Sequence, residues 1–390
     1  MLNQQPIHYA WTSIDAENLL DQPWCKNFRQ NCNMAASLPS TQTTVTLAQR
    51  PQANIVPGET FSTNTTAKAP SVNSLKDGQV LVKTLYLSLD PAMRGWLNDT
   101  RSYIPPVQIG EVMRGASVCK VLASKSQKFP VGQLLVTNNC GWQEYGIVSD
   151  KHCDAVQDTG ESTSRSAIDA LSVLGLTGLT AYFGITRIGD VKPGDFVVVS
   201  GAAGATGSVV GQIAKLKGAR VLGIAGGAAK CAWLKNELGF DEALDYKAAS
   251  FARDFRAATK DLIDVYFDNV GGEILDLALS RAKPHARFVM CGGISQYNSK
   301  EQKGPKNYLM IVSMRIRMQG FIVFDFEKEY DVARRELAQW VREGKIKRTE
   351  TVVKGGLQKA EGALVDLFKG GNTGKMLVEV ASLDGERARL

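Results

Sequence analysis

Residues 196–217, FVVVSGAAGATGSVVGQIAKLK, constrain the fold of this chain more than any other stretch. Phe196 to Val199 are four β-favouring residues, enough for one short buried strand. A turn of small residues follows, Gly201-Ala202-Ala203-Gly204-Ala205-Thr206-Gly207. From about Ser208, Val209, Val210, Ile213, Ala214 and Leu216 recur at helical spacing and predict a helix with one buried face. A strand that turns through small residues into a helix lets the backbone approach a pyrophosphate, whose charge sits at the helix N-terminus. The G-x-G-x-x-G fingerprint reads Ala202-x-Gly204-x-x-Gly207, with alanine in place of the first glycine. Its position between strand and helix marks it as a dinucleotide site.

Further strands are predicted at Arg220–Ala225, Ala243–Tyr246, Asp264–Asp268, Arg287–Cys291 and Arg317–Val323, with helices at about 208–217, 229–238, 250–258 and 272–282. Regular alternation of this kind gives a doubly wound parallel sheet, so the fold class is α/β. One long helical stretch is expected just ahead of it, over Ala167–Ile185. From Thr43 to about Gln157, by contrast, short strands succeed one another without helices, as in a small β-barrel.

A chain of 390 residues suggests two domains. Residues 1–38 read as a disordered extension, polar and without periodicity, with Met34 an alternative start. Residues 39–160 form the first part of the barrel domain, 161–325 the dinucleotide-binding domain, and 326–390 a return to the first.

Composition excludes several classes of function. The hydrophobic fraction of 44% and mean hydropathy of −0.13 fit a soluble globular protein. No apolar run reaches the ~18 residues of a membrane helix. The net charge of +7 is spread among acids rather than gathered on one face, which argues against nucleic-acid binding. Seven cysteines without a C-x-x-C pair suggest a reducing compartment, hence a cytoplasmic protein. The final Ala388-Arg389-Leu390 resembles a peroxisomal address and gives an alternative location.

Three histidines, His8, His152 and His285, leave few ways to build a metal site, and none is expected. His152 and Cys153 are adjacent and would point apart on a strand. No nucleophile elbow occurs. Gly370 to Met376 looks like a phosphate loop but carries Met376 where Ser or Thr would hold magnesium.

Cofactor choice is read from the second strand. An NAD site places Asp or Glu ~20 residues past the glycines, on the ribose 2′-hydroxyl. Here the strand ends in Ala225-Gly226-Gly227, and Lys230 follows, which favours the 2′-phosphate of NADP. Asp268-Asn269-Val270-Gly271-Gly272 and Cys291-Gly292-Gly293-Ile294-Ser295-Gln296-Tyr297 end two further strands, at the edge where open α/β sheets bind ligands.

Several ordered motifs carry a family resemblance. Leu85 to Gly95, LYLSLDPAMRG, is similar to the N-terminal signature of the zinc-independent medium-chain reductases. These include the prostaglandin reductases, plant alkenal double-bond reductases and bacterial curcumin reductase. Arg101-Ser102-Tyr103-Ile104-Pro105-Pro106-Val107 resembles the curcumin reductase branch most. Residues 200–204, 267–272, 316–321 and 371–375 extend the resemblance, which spans roughly 43–380.

The resemblance implies a GroES-like catalytic domain beside a Rossmann domain, a homodimer, and NADPH-dependent reduction of a carbon–carbon double bond conjugated to a carbonyl. Hydride would reach the β-carbon, and the resulting enolate would need a donor. By similarity Gly204, Ala205, Thr206 and Gly207 would contact the pyrophosphate, and Lys230 and Tyr246 the 2′-phosphate. Thr177, Asn269, Cys291, Gly292, Gly293, Ile294, Ser295, Gln296, Tyr297, Phe321, Ile322, Val323 and Asn372 would line the rest of the cofactor. Tyr103 and Tyr297 match aromatic active-site positions and would place the substrate and act as possible acid. Relatives commonly carry tyrosine at the position of Ala92, so a larger pocket is expected. A zinc-free quinone reductase or alcohol dehydrogenase, or a non-catalytic NADPH-binding protein, are the alternatives on the same scaffold.

Overall fold

The computed structural model describes residues 38–383. The extension expected over 1–38 lies, apart from Leu38, outside the described residues, as do Met34 and the terminal Ala388-Arg389-Leu390.

The N-terminal part is built from β1 (Thr41–Leu47), β2 (Phe61–Lys68), β3 (Gln79–Leu89), the single helical turn α1 (Met93–Trp96), β4 (Ser117–Ser124), β5 (Leu134–Thr137), β6 (Tyr145–Ser149) and β7 (Cys153–Ala155). β1 and β2 pair as an antiparallel ribbon. β3 is the hub of the larger sheet, because it bonds antiparallel to both β4 and β6. Leu87, Leu89, Met93, Met113 and Trp142 pack together beneath it as one apolar cluster.

The long helix expected over Ala167–Ile185 is instead two, α2 (Thr163–Asp169) and α3 (Leu176–Phe183), followed by a wider turn at Gly184–Ile188. The reason lies at Gly178, where an added Cβ would fall 1.7 Å from the carbonyl oxygen of Val173. The chain doubles back on itself there more closely than any side chain allows.

Then come β8 (Phe196–Val199), α4 (Ala205–Leu216), β9 (Arg220–Ala225), α5 (Ala228–Asn236), β10 (Glu242–Asp245), α6 (Phe251–Ala258), β11 (Ile263–Asp268), α7 (Gly272–Leu279), β12 (Ala282–Met290), the short helices α8 (Ile294–Tyr297) and α9 (Leu309–Ser313), and β13 (Arg317–Gly320). The six strands pair in parallel in the order β10-β9-β8-β11-β12-β13. Alternation along β8 covers both faces of the sheet. Val197 and Val199 join the cluster of α3 and α4, while Phe196 and Val198 join that of α6 and α7. Leu216 departs from the expected buried face and is 40% exposed, at the last turn of α4. The last strand ends at Gly320 rather than Val323, because the Asp325 carboxylate accepts from the Ile322 N–H and starts a tight helical turn.

The chain closes with α10 (Tyr330–Arg342), β14 (Glu350–Lys354), α11 (Ala360–Phe368) and β15 (Lys375–Glu379). β15 pairs with β3, giving a larger sheet ordered β14-β15-β3-β4-β5-β7 with β6 beside β3. A buried charge cluster ties this segment to α2. The Asp169 carboxylate, fully buried, accepts from Arg165 and Arg348, and Arg165 also donates to Glu350 of β14. Unpaired, such a carboxylate would cost several kcal/mol, so the cluster holds only as a set.

Candidate cofactor and substrate cleft

The turn after β8 is tighter than the fingerprint suggests. Gly201 has φ +58°, so the reversal falls one residue before the expected first glycine, and Ala202 stands in ordinary backbone geometry. Ala202 is fully buried and donates to the Ile224 carbonyl at 2.9 Å, which locks the turn onto β9. At Gly207 an added Cβ would meet the Gly201 carbonyl oxygen at 2.5 Å and the Ala202 Cα at 2.8 Å. Only glycine lets the first turn of α4 sit that close to the strand. Gly204 caps α4 without a side chain, so the N–H groups of Ala205, Thr206 and Gly207 stand at the positive end of a twelve-residue helix.

The C-terminal segment clasps this turn. Gly374 donates to the Ala203 carbonyl at 2.8 Å and bridges Gly204. Lys230, on the first turn of α5, donates to the Gly370 carbonyl at 2.7 Å. The Asn372 amide braces the same loop by donating to Gly374 at 2.6 Å. Tyr246 lies over Gly226, where an added Cβ would meet its ring at 2.9 Å. Beside it runs the stem of Lys247. Burial lowers the Lys230 pKa, and the Lys247 charge lowers it further. Two cations that repel one another beside a half-exposed phenol form a donor set that fits a phosphate dianion. With the helix end 204–207, the set fits a dinucleotide bearing a 2′-phosphate.

At the carboxyl edge of the sheet, Asp268 organises the neighbouring turn. Its buried carboxylate accepts from the Ser200 hydroxyl, the Tyr266 hydroxyl and the N–H groups of Val270 and Gly271. Burial pushes its pKa up, while these donors pull it down. The Asn269 amide donates to the Ser200 carbonyl at 2.7 Å. An open cleft of about 510 Å³ lies between this edge and the segment after β13, lined by Cys291, Gly292, Phe321, Ile322 and Asp325 among others. Phe321 and Val323 are mostly engaged in the core with Phe267. Ser295 donates back to the Val270 carbonyl, and Ile294 N–H to the Asn269 carbonyl, so the 291–297 loop is strapped to the 269–272 turn. Thr177 turns its hydroxyl to the Ser172 carbonyl at the entry to α3.

The opposite wall comes from the N-terminal part. Arg94 is 2% exposed and makes no ion pair among the described residues; it donates to the carbonyls of Pro51 and Ala53 and to the amide oxygens of Asn98 and Asn298. Asn298 follows Tyr297, so one guanidinium holds the two walls together. The Tyr103 ring packs at 6.4 Å from that of Phe324, again from wall to wall. The Tyr103 hydroxyl accepts from the Trp96 indole N–H at 2.8 Å, and the Tyr297 hydroxyl accepts from the Gly293 N–H at 3.1 Å. Burial raises both phenols above their ordinary pKa, with the Asp90 charge adding at Tyr103 and the charges of Cys291, Tyr103 and Asp268 adding at Tyr297, so both stay protonated at neutral pH. Ala92, half-buried, precedes α1 and stands one helical turn before Trp96.

Sequence reasoning missed Lys247, Arg94, Trp96 and Lys375. Lys247 adjoins the predicted Tyr246 and could have been found on charge alone. Arg94 and Lys375 act through partners far along the chain, and Trp96 acts only through Tyr103. Among the described residues no group of three or more His, Cys, Asp or Glu is placed to hold a metal ion.

A doubly wound sheet with this turn, joined to an antiparallel sheet that supplies the facing wall, defines a medium-chain oxidoreductase. Residues 43–156 match the family described as the N-terminal domain of oxidoreductase, and 205–339 the one described as zinc-binding dehydrogenase. The chain is 41% identical to the NADPH-dependent curcumin reductase of Escherichia coli, over 87% of this chain and 96% of that one. It is 40% identical to the NADP(+)-dependent 2-alkenal reductase of Nicotiana tabacum, over 77% and 87%. The crystal structure of CurA in complex with NADPH from Vibrio vulnificus superposes with a TM-score of 0.80 at 41% identity, covering 87% of this chain and 99% of that one. The protein belongs to the prostaglandin reductase, alkenal reductase and curcumin reductase family of medium-chain oxidoreductases.

Proposed function

We propose that this protein reduces the carbon–carbon double bond of α,β-unsaturated carbonyl compounds with NADPH. Gly204 to Gly207 would hold the pyrophosphate, and Lys230, Tyr246 and Lys247 the 2′-phosphate. Asn269, the 291–297 loop and Ile322 would line the nicotinamide half. When bound, the cofactor supplies a hydride.

What the chain itself contributes is polarisation of the substrate. Reduction at the β-carbon puts negative charge on the carbonyl oxygen, and a fixed donor lowers that barrier, with removal of one donor costing ~10²–10³-fold in rate. The observation that carries the reading is that Tyr103 stands near enough to Tyr297 for its charge to act on it, and both hydroxyl oxygens accept from N–H donors. Each hydroxyl therefore has its own proton free for an incoming oxygen. Arg94 and the Ser295–Val270 strap hold the two walls that carry them. The names of the relatives, curcumin reductase and 2-alkenal reductase, support the same chemistry.

The test is NADPH oxidation with matched panels of enones, quinones and simple ketones. Turnover of enones, with the saturated ketone as product, is the expected result. Turnover of quinones alone would replace this reading with a quinone reductase.

A further inference from the structure

Tyrosine hydroxyls in an open cleft normally trade donor and acceptor roles with water, and only a fixed neighbour decides which way the proton points. For Tyr297 that neighbour is backbone, the Gly293 N–H. For Tyr103 it is a side chain. The Trp96 indole nitrogen is a donor only, so at 2.8 Å it must give its hydrogen to the Tyr103 oxygen. The phenolic proton then has no acceptor among the described residues and is free to be given to an incoming oxygen. Trp96 itself is half-buried against the cluster beneath β3, which fixes the indole in place. It also lies one turn from Ala92.

We propose that Trp96 is a positioning residue that sets Tyr103 as the hydrogen-bond donor to the substrate's carbonyl oxygen, a role that rests on the enone-reductase reading above. The substrate class that benefits is a flat, aryl-conjugated enone, whose carbonyl oxygen would meet Tyr103. Donation into the tyrosine oxygen polarises its O–H and strengthens the bond it gives in turn. The indole does not touch the reacting atoms; its effect passes through Tyr103 alone.

The experiment is a double-mutant cycle of Trp96→Phe and Tyr103→Phe, with kcat measured on an aryl enone at saturating NADPH. Trp96→Phe keeps a ring in the cluster and removes only the N–H; Trp96→Met replaces it should the first variant misfold. Tyr103→Phe should lower kcat ~100-fold, the low end of the range for one lost donor. Trp96→Phe should lower it ~3–10-fold through loss of polarisation and aim, with KM for NADPH unchanged. In the Tyr103→Phe background the Trp96 change should have no further effect. Equal effects of Trp96→Phe in both backgrounds, or a wild-type kcat in the single variant, would overturn the proposal.

A binding measurement separates this from failure of the reductase reading. The probe is 4-nitrophenolate, an enolate-like oxygen on a flat ring, followed by its absorbance. Its affinity should fall in Trp96→Phe and in Tyr103→Phe but no further in the double variant. If no enone is turned over yet this binding cycle holds, the reductase reading fails and the donor assignment stands. If enones are reduced and neither cycle shows coupling, the donor assignment alone fails.

Discussion

Lys375 is buried beneath Asp90, its ammonium donating to the Asp90 carboxylate and, at 2.8 Å, to the Leu89 carbonyl. The pair joins two working parts. Lys375 directly follows Gly374, which bonds the dinucleotide turn, and Asp90 precedes Ala92 and raises the Tyr103 pKa by its charge. Lys375→Met should destabilise the protein by ~3–5 kcal/mol, the cost of leaving one partner of a buried pair. Asp90→Asn with Lys375→Met together should recover part of that loss. Urea denaturation checks both, and a single variant within ~0.5 kcal/mol of wild type would contradict the assignment.

Gly207→Ala tests the close approach of α4 to its strand. Both atoms that its Cβ would strike belong to backbone, so neither can rotate away. We expect NADPH affinity to fall by more than ~10-fold, because the first-turn N–H groups would be displaced. Gly204→Ala meets only the Gly201 carbonyl, at 3.3 Å, and should be the milder change. Titration of NADPH fluorescence measures each.

Removal of the Lys230 charge should act on one cofactor and spare the other. Lys230→Ala is expected to raise KM for NADPH by ~10–100-fold, the scale of a charge-assisted bond to phosphate, and to leave KM for NADH nearly unchanged. Lys247→Ala should show the same sign with a smaller effect. Equal losses for both cofactors would mean that Lys230 serves the Gly370 loop rather than a phosphate.

Ala92→Tyr tests whether the larger pocket expected at this position belongs to the substrate's path. Rates on aryl enones should fall relative to those on small enals, and preference should shift by at least ~10-fold, as for a ring-sized change in a pocket. Identical preferences in wild type and variant would show that the space at Ala92 is not part of the substrate's path.

Cys291 lines the cleft and invites alkylation, yet its thiol is pushed up to about 12, chiefly by burial and then by the charge of Asp268. Below that pH the proton stays on, and only ~one thiol in ten thousand is ionised at pH 8. Native protein incubated with iodoacetamide should therefore stay unmodified at Cys291, with labelling rising ~tenfold per pH unit toward 10. Peptide mass spectrometry reads the site directly, and rapid labelling at pH 8 would refute the burial argument.

The glycine turn and the parallel sheet were legible because each is a local signal, a spacing or a residue type within a few positions, and Lys230 was proposed on the same kind of signal. The broken helix at 163–188 was not, since it depends on the close approach at Gly178, which periodicity does not encode. Arg94 and Lys375 were invisible for a different reason. Their partners Asn298 and Asp90 lie 204 and 285 positions away, and no pattern in a single sequence announces such pairs. The alanine at the first fingerprint position looked like a defect. It is accommodated because Gly201 makes the turn one residue earlier.

The bonds of Gly374 to the dinucleotide turn and of Gly370 to Lys230 make the nucleotide-binding half dependent on the far end of the polypeptide. Residues 196–320 alone would carry every strand of the parallel sheet and still lack the segment that seals its phosphate turn. This Rossmann unit is thus not a transferable module. Grafted elsewhere, or translated without the last strand, it would keep its sheet and lose its grip on nucleotide.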